Sequence, residues 1–166
     1  MREITAIPIT PAGFAPFGQV VSAGLREGRA ANMGTAVRTD YCAALKSTRP
    51  NATPNMAVFR SLAKTLPFEI ILLEKHPCST QAFLPMVCTQ FLVCVAPSLA
   101  DGTPNVDELV AFRCGPGQGV NYDADVWHHP ILALDGPADF VMLAWEDGSP
   151  LDCIEYPLRE RVRVLG

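Results

Sequence analysis

Two short stretches of this chain hold most of the side chains that could do chemistry. Residues 74–86 read E-K-H-P-C-S-T-Q-A-F-L-P-M, and residues 127–130 read W-H-H-P. All three histidines of the chain, His76, His128 and His129, fall within them. Imidazole titrates near neutral pH and also binds transition metals. Both stretches are therefore candidates for acid–base catalysis or for metal binding.

The first stretch continues an apolar run, residues 68–73, that is typical of a buried β-strand. Side chains two apart on a strand share one face. Four side chains are therefore predicted to point the same way: Ile70, Leu72, Glu74 and His76. A buried carboxylate is costly unless it is paired or bound to a cation, so Glu74 needs a compensating group. Lys75 is predicted to face away from Glu74.

We predict that Glu74 is compensated within a functional site, and that residues of the second stretch complete this site. A turn at residues 77–80 should bring Gln81 back on the next strand, and His128 should reach Glu74 and His76 across a barrel. On an extended strand His128 and His129 point in opposite directions, and we assign the inward position to His128. The candidate metal ligands are Glu74, His76, Gln81 and His128. Nitrogen and oxygen donors together suit a divalent ion such as Ni, Zn, Fe or Mn.

The same residues have an interpretation without a metal. Glu74 would form a salt bridge with Arg38 or Arg60, and the histidines would be hydrogen-bonded core groups. Each arginine is either a solvated surface charge, as most arginines are, or a bidentate clamp for a substrate carboxylate. The residues alone leave these alternatives open.

Composition excludes several function classes. The chain has 166 residues, of which 49% are hydrophobic, and a net charge of −4. This predicts one domain, residues 1–166, and argues against nucleic acid or an anionic membrane as a partner. No apolar run approaches the roughly 18 residues of a membrane span, and the N-terminus lacks a signal-peptide core. Six cysteines without a C-x-x-C pair are expected to be reduced thiols of a cytoplasmic protein.

Strand-length apolar segments alternate with Gly- and Pro-containing turns along the chain. Thr10 and Pro11 predict the start of a short helix. Turns at intervals of ~8–12 residues predict an all-β sandwich or barrel with few helices. Residues 22–55 give no clear pattern. The predicted later strands are residues 90–97, 108–114, 120–122, 126–134, 139–145 and 153–156.

The spacing around His76 resembles that of cupin barrels. Cupins carry H-x-H-x-x-x-x-E on one strand pair and a further histidine much later, and this chain has E-x-H-x-x-x-x-Q. Glu74 and Gln81 stand where the cupin motif has its first His and its Glu. The segment G-x-G-V-N-Y-x-x-x-x-W-H-H-P corresponds to the second half of the barrel motif. The resemblance implies a cupin-like double-stranded β-helix, or jelly-roll, barrel.

Two longer motifs resemble the ureidoglycolate lyases of the allantoin pathway. They are E-x-H-P-x-x-x-Q-A-F-x-P-M and G-V-N-Y-x-x-x-x-W-H-H-P, and the similarity extends over nearly the whole chain. The resemblance implies a homodimeric carbon–nitrogen lyase of purine catabolism that cleaves (S)-ureidoglycolate to glyoxylate and urea. An older naming makes it a hydrolase that releases ammonia. One departure is Trp145-Glu146-Asp147-Gly148, where Asp-Arg is expected before a Gly-rich turn.

For that reaction we predict roles for ten side chains. The catalytic candidates are His76, His128, His129, Glu74, Lys75 and Tyr122. The substrate-binding candidates are Arg38, Arg60, Gln81 and Asn121. His129, Lys75 and Tyr122 are the open choices for the general acid, and a divalent metal such as Ni, Zn or Mn is a candidate cofactor. The alternatives are a non-catalytic cupin that binds a small carboxylate, and another metal-dependent cupin enzyme.

Overall fold

Two β-sheets face each other in the computed structural model, which describes residues 1–166. The helices are short: α1 (Pro11–Phe14) and two 3-10 turns, Asn32–Gly34 and Val106–Glu108. None of them has the length and apolarity that a membrane crossing requires. In chain order the strands are β1 (Arg2–Thr5), β2 (Ile7–Pro8), β3 (Gly18–Val21), β4 (Arg29–Ala31), β5 (Ala36–Arg38), β6 (Thr53–Ser61), β7 (Phe68–Lys75), β8 (Gln81–Val87), β9 (Gln90–Ala96), β10 (Val110–Cys114), β11 (Gly119–Tyr122), β12 (Trp127–His128), β13 (Leu132–Leu134), β14 (Ala138–Glu146) and β15 (Ile154–Leu165).

The larger sheet has eight strands and the smaller has five. The larger runs in the order β1-β15-β7-β12-β9-β10-β2, with β13 also paired to β9. The smaller runs β3-β11-β8-β14-β6, and β4 and β5 form a separate hairpin. Consecutive strands β7 and β8 therefore lie in different sheets. This architecture confirms the predicted all-β, cupin-like barrel with a few short helices.

Strand β9 shows how the sequence builds the core. Its odd-numbered residues, Phe91, Val93 and Val95, join an aromatic-rich cluster between the two sheets. Its even-numbered residues, Leu92, Cys94 and Ala96, lie in a second cluster on the opposite face of the larger sheet. A strand buried on both faces reads as a continuous apolar run. Each fully buried aliphatic or aromatic side chain stabilises the fold by about 1.5–3 kcal/mol.

The predicted N-terminal helix is confirmed. The Thr10 hydroxyl accepts a hydrogen bond from the Gly13 amide at 3.0 Å, and Pro11 begins the helix. The chain then enters β3 at Gly18, whose φ of +143° is unfavourable for other residues. A Cβ at Gly18 would meet the carbonyl oxygen of Asn121 at 1.9 Å. Glycine is therefore required where β3 pairs with β11.

Three strand predictions differ from the structure. The single strand predicted at residues 126–134 is divided into β12 and β13, because Pro130 has no amide to donate to a ladder. The final strand continues to Leu165 instead of ending near residue 156. The predicted shared face of β7 is wrong at Ile70, which packs in the same cluster as Leu73. The pairing of β7 with β15 shifts register between these two residues, so strict alternation does not hold there.

Candidate active site

The two histidine-bearing stretches meet at Glu74, His76 and His128. One ligand atom from each of these residues lies within 4.8 Å of the others. Glu74 and His128 are direct partners in the antiparallel pairing of β7 with β12, so their side chains share a face. His76 directly follows β7, and its ring stacks on that of His128 with centroids 5.4 Å apart.

His128 reaches this cluster differently from the prediction. It lies beside Glu74 on the neighbouring strand of the same sheet, whereas the sequence suggested an approach across the barrel. The residue that crosses from the facing sheet is Gln81, at the start of β8, whose Oε1 lies 3.1 Å from Nε2 of His128. His128 points inward and is 1% exposed. Trp127 lies in the hydrophobic cluster on the other face.

Main-chain carbonyls fix the orientation of both imidazoles. Nδ1 of His76 lies 2.5 Å from the carbonyl oxygen of Asp152, and Nδ1 of His128 lies 2.9 Å from that of Val126. A carbonyl only accepts hydrogen bonds, so each Nδ1 carries a hydrogen. Nε2 of His76 is buried and has no hydrogen-bond partner. In the neutral ring this atom offers a lone pair, which can take a proton or bind a cation.

Burial and charge determine the ionisation of the cluster. Burial lowers the pKa of His76, as does the nearby charge of His128, while the Asp152 carbonyl and Glu74 act in the opposite direction. Burial opposes ionisation of Glu74, but the adjacent His128 and His76 rings outweigh it and lower the pKa of this carboxyl. Nε2 of His128 lies 3.6 Å from the Glu74 carboxylate. At neutral pH the cluster therefore contains an ionised Glu74 and a neutral His76.

These donors suit a divalent cation. The cluster combines one carboxylate and two imidazoles, and the buried Nε2 of His76 has no competing partner. Gln81 adds an amide oxygen next to the ring of His128. Such a mixture of nitrogen and oxygen donors fits Ni, Zn, Fe or Mn.

Tyr122 supports the site through its ring. The ring stacks on that of His128 with centroids 4.2 Å apart and an angle of 11° between the planes. Its hydroxyl is buried without a hydrogen-bond partner. Burial raises the pKa of Tyr122 well above its usual value, so the phenol stays protonated.

Lys75 and His129 lie outside the cluster of three. Lys75 forms a 2.6 Å ion pair with Asp125 and lies 4.7 Å from the centre of the Trp127 ring. It thus faces away from Glu74, which fits the predicted alternation but not a catalytic role. Nδ1 of His129 lies 2.7 Å from the carbonyl oxygen of Pro130, and its ring packs edge-on against Phe68.

Neither predicted arginine reaches the cluster. Arg60 forms a bidentate pair with Asp139 at 2.8 and 2.9 Å, and its side chain is 78% exposed. Arg38 pairs with Asp40 at 2.6 Å and is also exposed. The alternative in which one of them compensates Glu74 is therefore wrong, because Glu74 has His128 beside it instead.

Asn121 also faces away from the histidines. Its amide nitrogen donates to Gln19 at 2.8 Å and lies 3.4 Å from the carbonyl oxygen of Ala44. The Gln19 side chain also accepts a hydrogen bond from the Ala44 amide at 3.0 Å. These contacts attach residues near 44 to the smaller sheet, so Asn121 anchors a loop in place of the predicted contact with substrate.

Sequence reasoning missed Asp152 and Cys153. Asp152 contacts His76 through its main-chain carbonyl, for which no sequence signal exists. The Cys153 thiol lies 3.8 Å from Oε2 of Glu74, because the start of β15 runs beside the end of β7. Burial and the neighbouring Glu74 raise the pKa of Cys153 to about 11. It is therefore a protonated thiol at the exposed side of the cluster.

Comparisons with known proteins identify the family of this chain. A family model described as ureidoglycolate lyase matches residues 1–165. The ureidoglycolate lyase of Pseudomonas entomophila strain L48 is 36% identical over 166 residues, covering 99% of this chain and 97% of the relative. That of Burkholderia mallei strain NCTC 10229 is 36% identical over 143 residues, covering 86% and 82%.

A solved structure supports the fold alone. The dTDP sugar isomerase of Desulfovibrio desulfuricans G20 superposes with a TM-score of 0.52 and covers 87% of each chain. Its sequence is 16% identical, which is too distant to transfer an activity. The match of nearly the whole sequence to one family is the stronger finding. The chain belongs to the ureidoglycolate lyase family.

Proposed function

We propose that this chain is a ureidoglycolate lyase that cleaves (S)-ureidoglycolate to glyoxylate and urea. The observation that carries the proposal is the meeting of Glu74, His76 and His128 within 4.8 Å, in a chain that belongs to this family. Two imidazoles and a carboxylate can move a proton between neighbouring atoms of one small substrate. The residue roles that follow are part of the proposal.

The reaction moves one proton and breaks one bond. Ureidoglycolate carries a hydroxyl, a carboxylate and the urea nitrogen on one carbon atom. The hydroxyl loses its proton and its oxygen forms a double bond to that carbon. The electron pair of the carbon–nitrogen bond leaves with the nitrogen, which takes up a proton to give urea. No water is consumed, which distinguishes this lyase reaction from hydrolysis to ammonia.

The atom best suited to begin the reaction is Nε2 of His76. It is buried, has no hydrogen-bond partner, and belongs to a ring whose lowered pKa keeps it neutral near pH 7. Glu74 lies beside it as a carboxylate and would stabilise the imidazolium that forms. On the other side of the site, the contact between His128 and Gln81 holds these two side chains in place.

The proton for the departing nitrogen has fewer candidate sources than the sequence suggested. Lys75 is engaged with Asp125 on the other face. The Tyr122 phenol is buried, and its pKa is raised well above the usual range. His129 lies outside the cluster and its Nδ1 contacts the Pro130 carbonyl, so the source that we retain is return of the proton from His76 itself.

A divalent cation fits the proposal. Glu74, His76, Gln81 and His128 would hold it, through the donor atoms already described. Bound there, it would polarise the substrate hydroxyl and lower its pKa. The same lone pair on Nε2 of His76 serves either a proton or the cation, so the orientation of this ring matters in both cases.

A product assay tests the function. Purified protein is mixed with (S)-ureidoglycolate, and glyoxylate, urea and ammonia are measured. Urea with glyoxylate is the expected result, whereas ammonia indicates a hydrolase and no product indicates a binding protein. His76→Ala and His128→Ala should each lower turnover at least about 100-fold. Arg161→Ala, which removes an exposed pair with Glu69, is the matched control. Near-full turnover in both histidine variants would overturn the proposal.

We further propose that the chain forms a homodimer through the outer face of the smaller sheet. Strand β6 is an edge strand, and Met56 and Val58 on it are 72% and 65% exposed. Val58 lies beside Val141, which lies beside Leu84 of β8, so an apolar row crosses three strands. Exposed apolar faces of this kind mark contact surfaces, and a stable dimer buries about 800 Å² per partner. A second copy of this chain offers the same apolar row, which suits an isologous contact.

A cytoplasmic location is the remaining part of the proposal. All six cysteines are free thiols, and Cys94 and Cys114 are buried in the core. Free buried thiols are typical of proteins that fold in a reducing compartment. Proteins with this many cysteines in an oxidising compartment usually pair them.

A further inference from the structure

The guanidinium of Arg49 connects the segment before β6 to the loop between β14 and β15. Nη1 donates to the Asp147 carboxylate at 2.6 Å and to the Ser149 hydroxyl at 2.9 Å. Nη2 donates to the carbonyl oxygen of Trp145 at 3.2 Å and to the Asp152 carboxylate. The Arg49 side chain is 13% exposed. Two terminal nitrogens thus bind four acceptors, one at the end of β14 and three in the loop that follows it.

Asp152 links Arg49 to the candidate active site. Its carboxylate also accepts hydrogen bonds from the main-chain amides of Asp147 and Gly148. Burial opposes its ionisation, but Arg49 and these amides lower the pKa of Asp152. Its main-chain carbonyl accepts the hydrogen bond from Nδ1 of His76. One residue therefore binds Arg49 through its side chain and His76 through its backbone.

The segment that carries Arg49 also attaches to the turn that follows His76. The Thr48 amide donates to the carbonyl oxygen of Cys78 at 2.9 Å, and the Thr80 amide donates to that of Lys46 at 3.0 Å. Residues 46–49 thus lie along residues 78–80. His76 is held on one side by the anchored turn and on the other by the Asp152 carbonyl, and both attachments lead back to residues 46–49.

Arg49 is not available to bind substrate. Both terminal nitrogens donate to protein oxygens, and two carboxylates neutralise the charge. The remaining donor, Nε, is buried without a partner. To bind Arg49, a substrate carboxylate would have to displace Asp147 or Asp152 from the guanidinium, to which both are already hydrogen-bonded. Arg49 therefore affects the site by fixing the position of the loop between β14 and β15.

We propose that Arg49 is a positioning residue: through Asp152 it fixes the ring of His76 so that Nε2 faces Glu74 and His128. Groups that orient an imidazole through its other nitrogen typically change activity or metal affinity 10–100-fold when removed. The kinetic part of this inference rests on the proposed function. The ring orientation can be observed in the protein without substrate.

Nitrogen NMR of the imidazoles tests the orientation directly. The chain has only three histidines, so the signals can be assigned by single replacements. In the chelator-treated wild-type protein, His76 should show one tautomer, with the hydrogen on Nδ1. In Arg49→Met the Asp152 carbonyl is no longer fixed, and the two tautomers of His76 should average. Arg161→Met removes a guanidinium from an exposed ion pair and should leave the signal unchanged.

Kinetics then separate positioning from general stability. Arg49→Met should lower kcat for glyoxylate release about tenfold, with a smaller change in KM. In a His76→Asn background the same replacement should lower the residual kcat no more than about twofold, because Arg49 acts through the imidazole. Arg49→Lys keeps a positive charge near Asp147 and Asp152 but cannot bind all four acceptors. The kcat of Arg49→Lys should lie between those of the wild type and Arg49→Met. If Arg49→Met does not fold, Arg49→Lys is the variant used for the test.

Two results would overturn the inference. One is a folded Arg49 variant that keeps the single tautomer and normal kcat. The other is an equal fold loss with and without the His76 imidazole, which would indicate that Arg49 acts elsewhere. If wild-type protein releases no glyoxylate but the tautomer changes in Arg49→Met, then the proposed function fails and the positioning role stands.

Discussion

The rings of His76 and His128 stack with their centroids 5.4 Å apart, and each directs Nδ1 at a main-chain carbonyl oxygen. Nε2 of both rings therefore faces the interior of the site. The two residues come from different stretches of the chain and from different backbone environments, yet they present the same atom. This relationship makes the chemistry of Nε2 separable from the structural role of Nδ1.

Replacing His76 with asparagine should separate the structural role of Nδ1 from the catalytic role of Nε2. The asparagine amide can still donate to the Asp152 carbonyl in place of Nδ1, but it has no equivalent of Nε2. We expect the free energy of unfolding to stay within about 1 kcal/mol of wild type. Turnover should fall at least about 100-fold. Urea denaturation and glyoxylate release measure the two effects, and a stable variant with wild-type turnover would contradict the role of Nε2.

The Tyr122 hydroxyl should be dispensable although its ring is not. The hydroxyl is buried without a partner, so Tyr122→Phe should leave stability unchanged or raise it by about 1 kcal/mol. Turnover should stay within about threefold of wild type. Tyr122→Leu removes the ring stacked on His128 and should cost about 2–4 kcal/mol. A large loss of turnover in Tyr122→Phe would instead identify the phenol as the general acid.

Arg60 should contribute little to substrate binding. Its pair with Asp139 is bidentate but its side chain is 78% exposed, so Arg60→Ala should leave the free energy of unfolding nearly unchanged. KM for ureidoglycolate should change less than about twofold. Arg38→Ala, at a second exposed pair, should behave in the same way. A tenfold or larger rise in KM for either variant would restore it as a carboxylate clamp.

Stability of the chelator-treated protein should fall as the pH is lowered from 7.5 to 5.5. Burial lowers the pKa of His129, against the opposing effects of the Pro130 carbonyl and Glu74, and burial also lowers the pKa of His76. The unfolded histidines titrate near pH 6.5, so between the two pKa values the unfolded state binds more protons. Stability therefore rises with pH, by at most about 1.4 kcal/mol per unit for each group.

The carboxyl of Glu74 does not interfere in this range. Its folded pKa is lowered, so its contribution is complete above the unfolded value of about 4.3 and is lost only at more acidic pH. Urea unfolding at pH 7.5 and 5.5 measures the effect, and His129→Gln should reduce the difference. A stability that is flat or higher at pH 5.5 would contradict the buried neutral histidines.

A charge on the outer face of the smaller sheet should prevent dimerisation. Val58 is 65% exposed in the middle of edge strand β6, and Val58→Glu places a like charge on both copies at an isologous contact. Light scattering should give the mass of a dimer for wild type and of a monomer for Val58→Glu. Leu99→Glu introduces the same charge at a residue 47% exposed in a loop away from this face, and it should remain dimeric. A monomeric wild type would overturn the proposed interface.

The larger features of the fold could be predicted from local patterns. The continuous apolar run of β9, the cap at Thr10, and the frequent turns each depend on residues close together in the sequence. The same is true of Glu74 and Lys75, which face opposite ways because adjacent residues of a regular strand do. The error at Ile70 arose because a register shift with β15, more than 80 residues later, interrupts that rule.

The sequence determined which residues are chemically suited to the site, and tertiary structure decided which of them meet. Glu74, His76, Gln81 and His128 were identified by type and spacing, and they do come together. Arg38, Arg60 and Asn121 were identified in the same way, but pairing with Asp40, Asp139 and Gln19 holds them elsewhere. Arg49 and Asp152 had no signal, because one acts through a distant loop and the other through its backbone carbonyl. Side-chain type is a local property, whereas the partner that a charge finds depends on which strands and loops the fold places beside it.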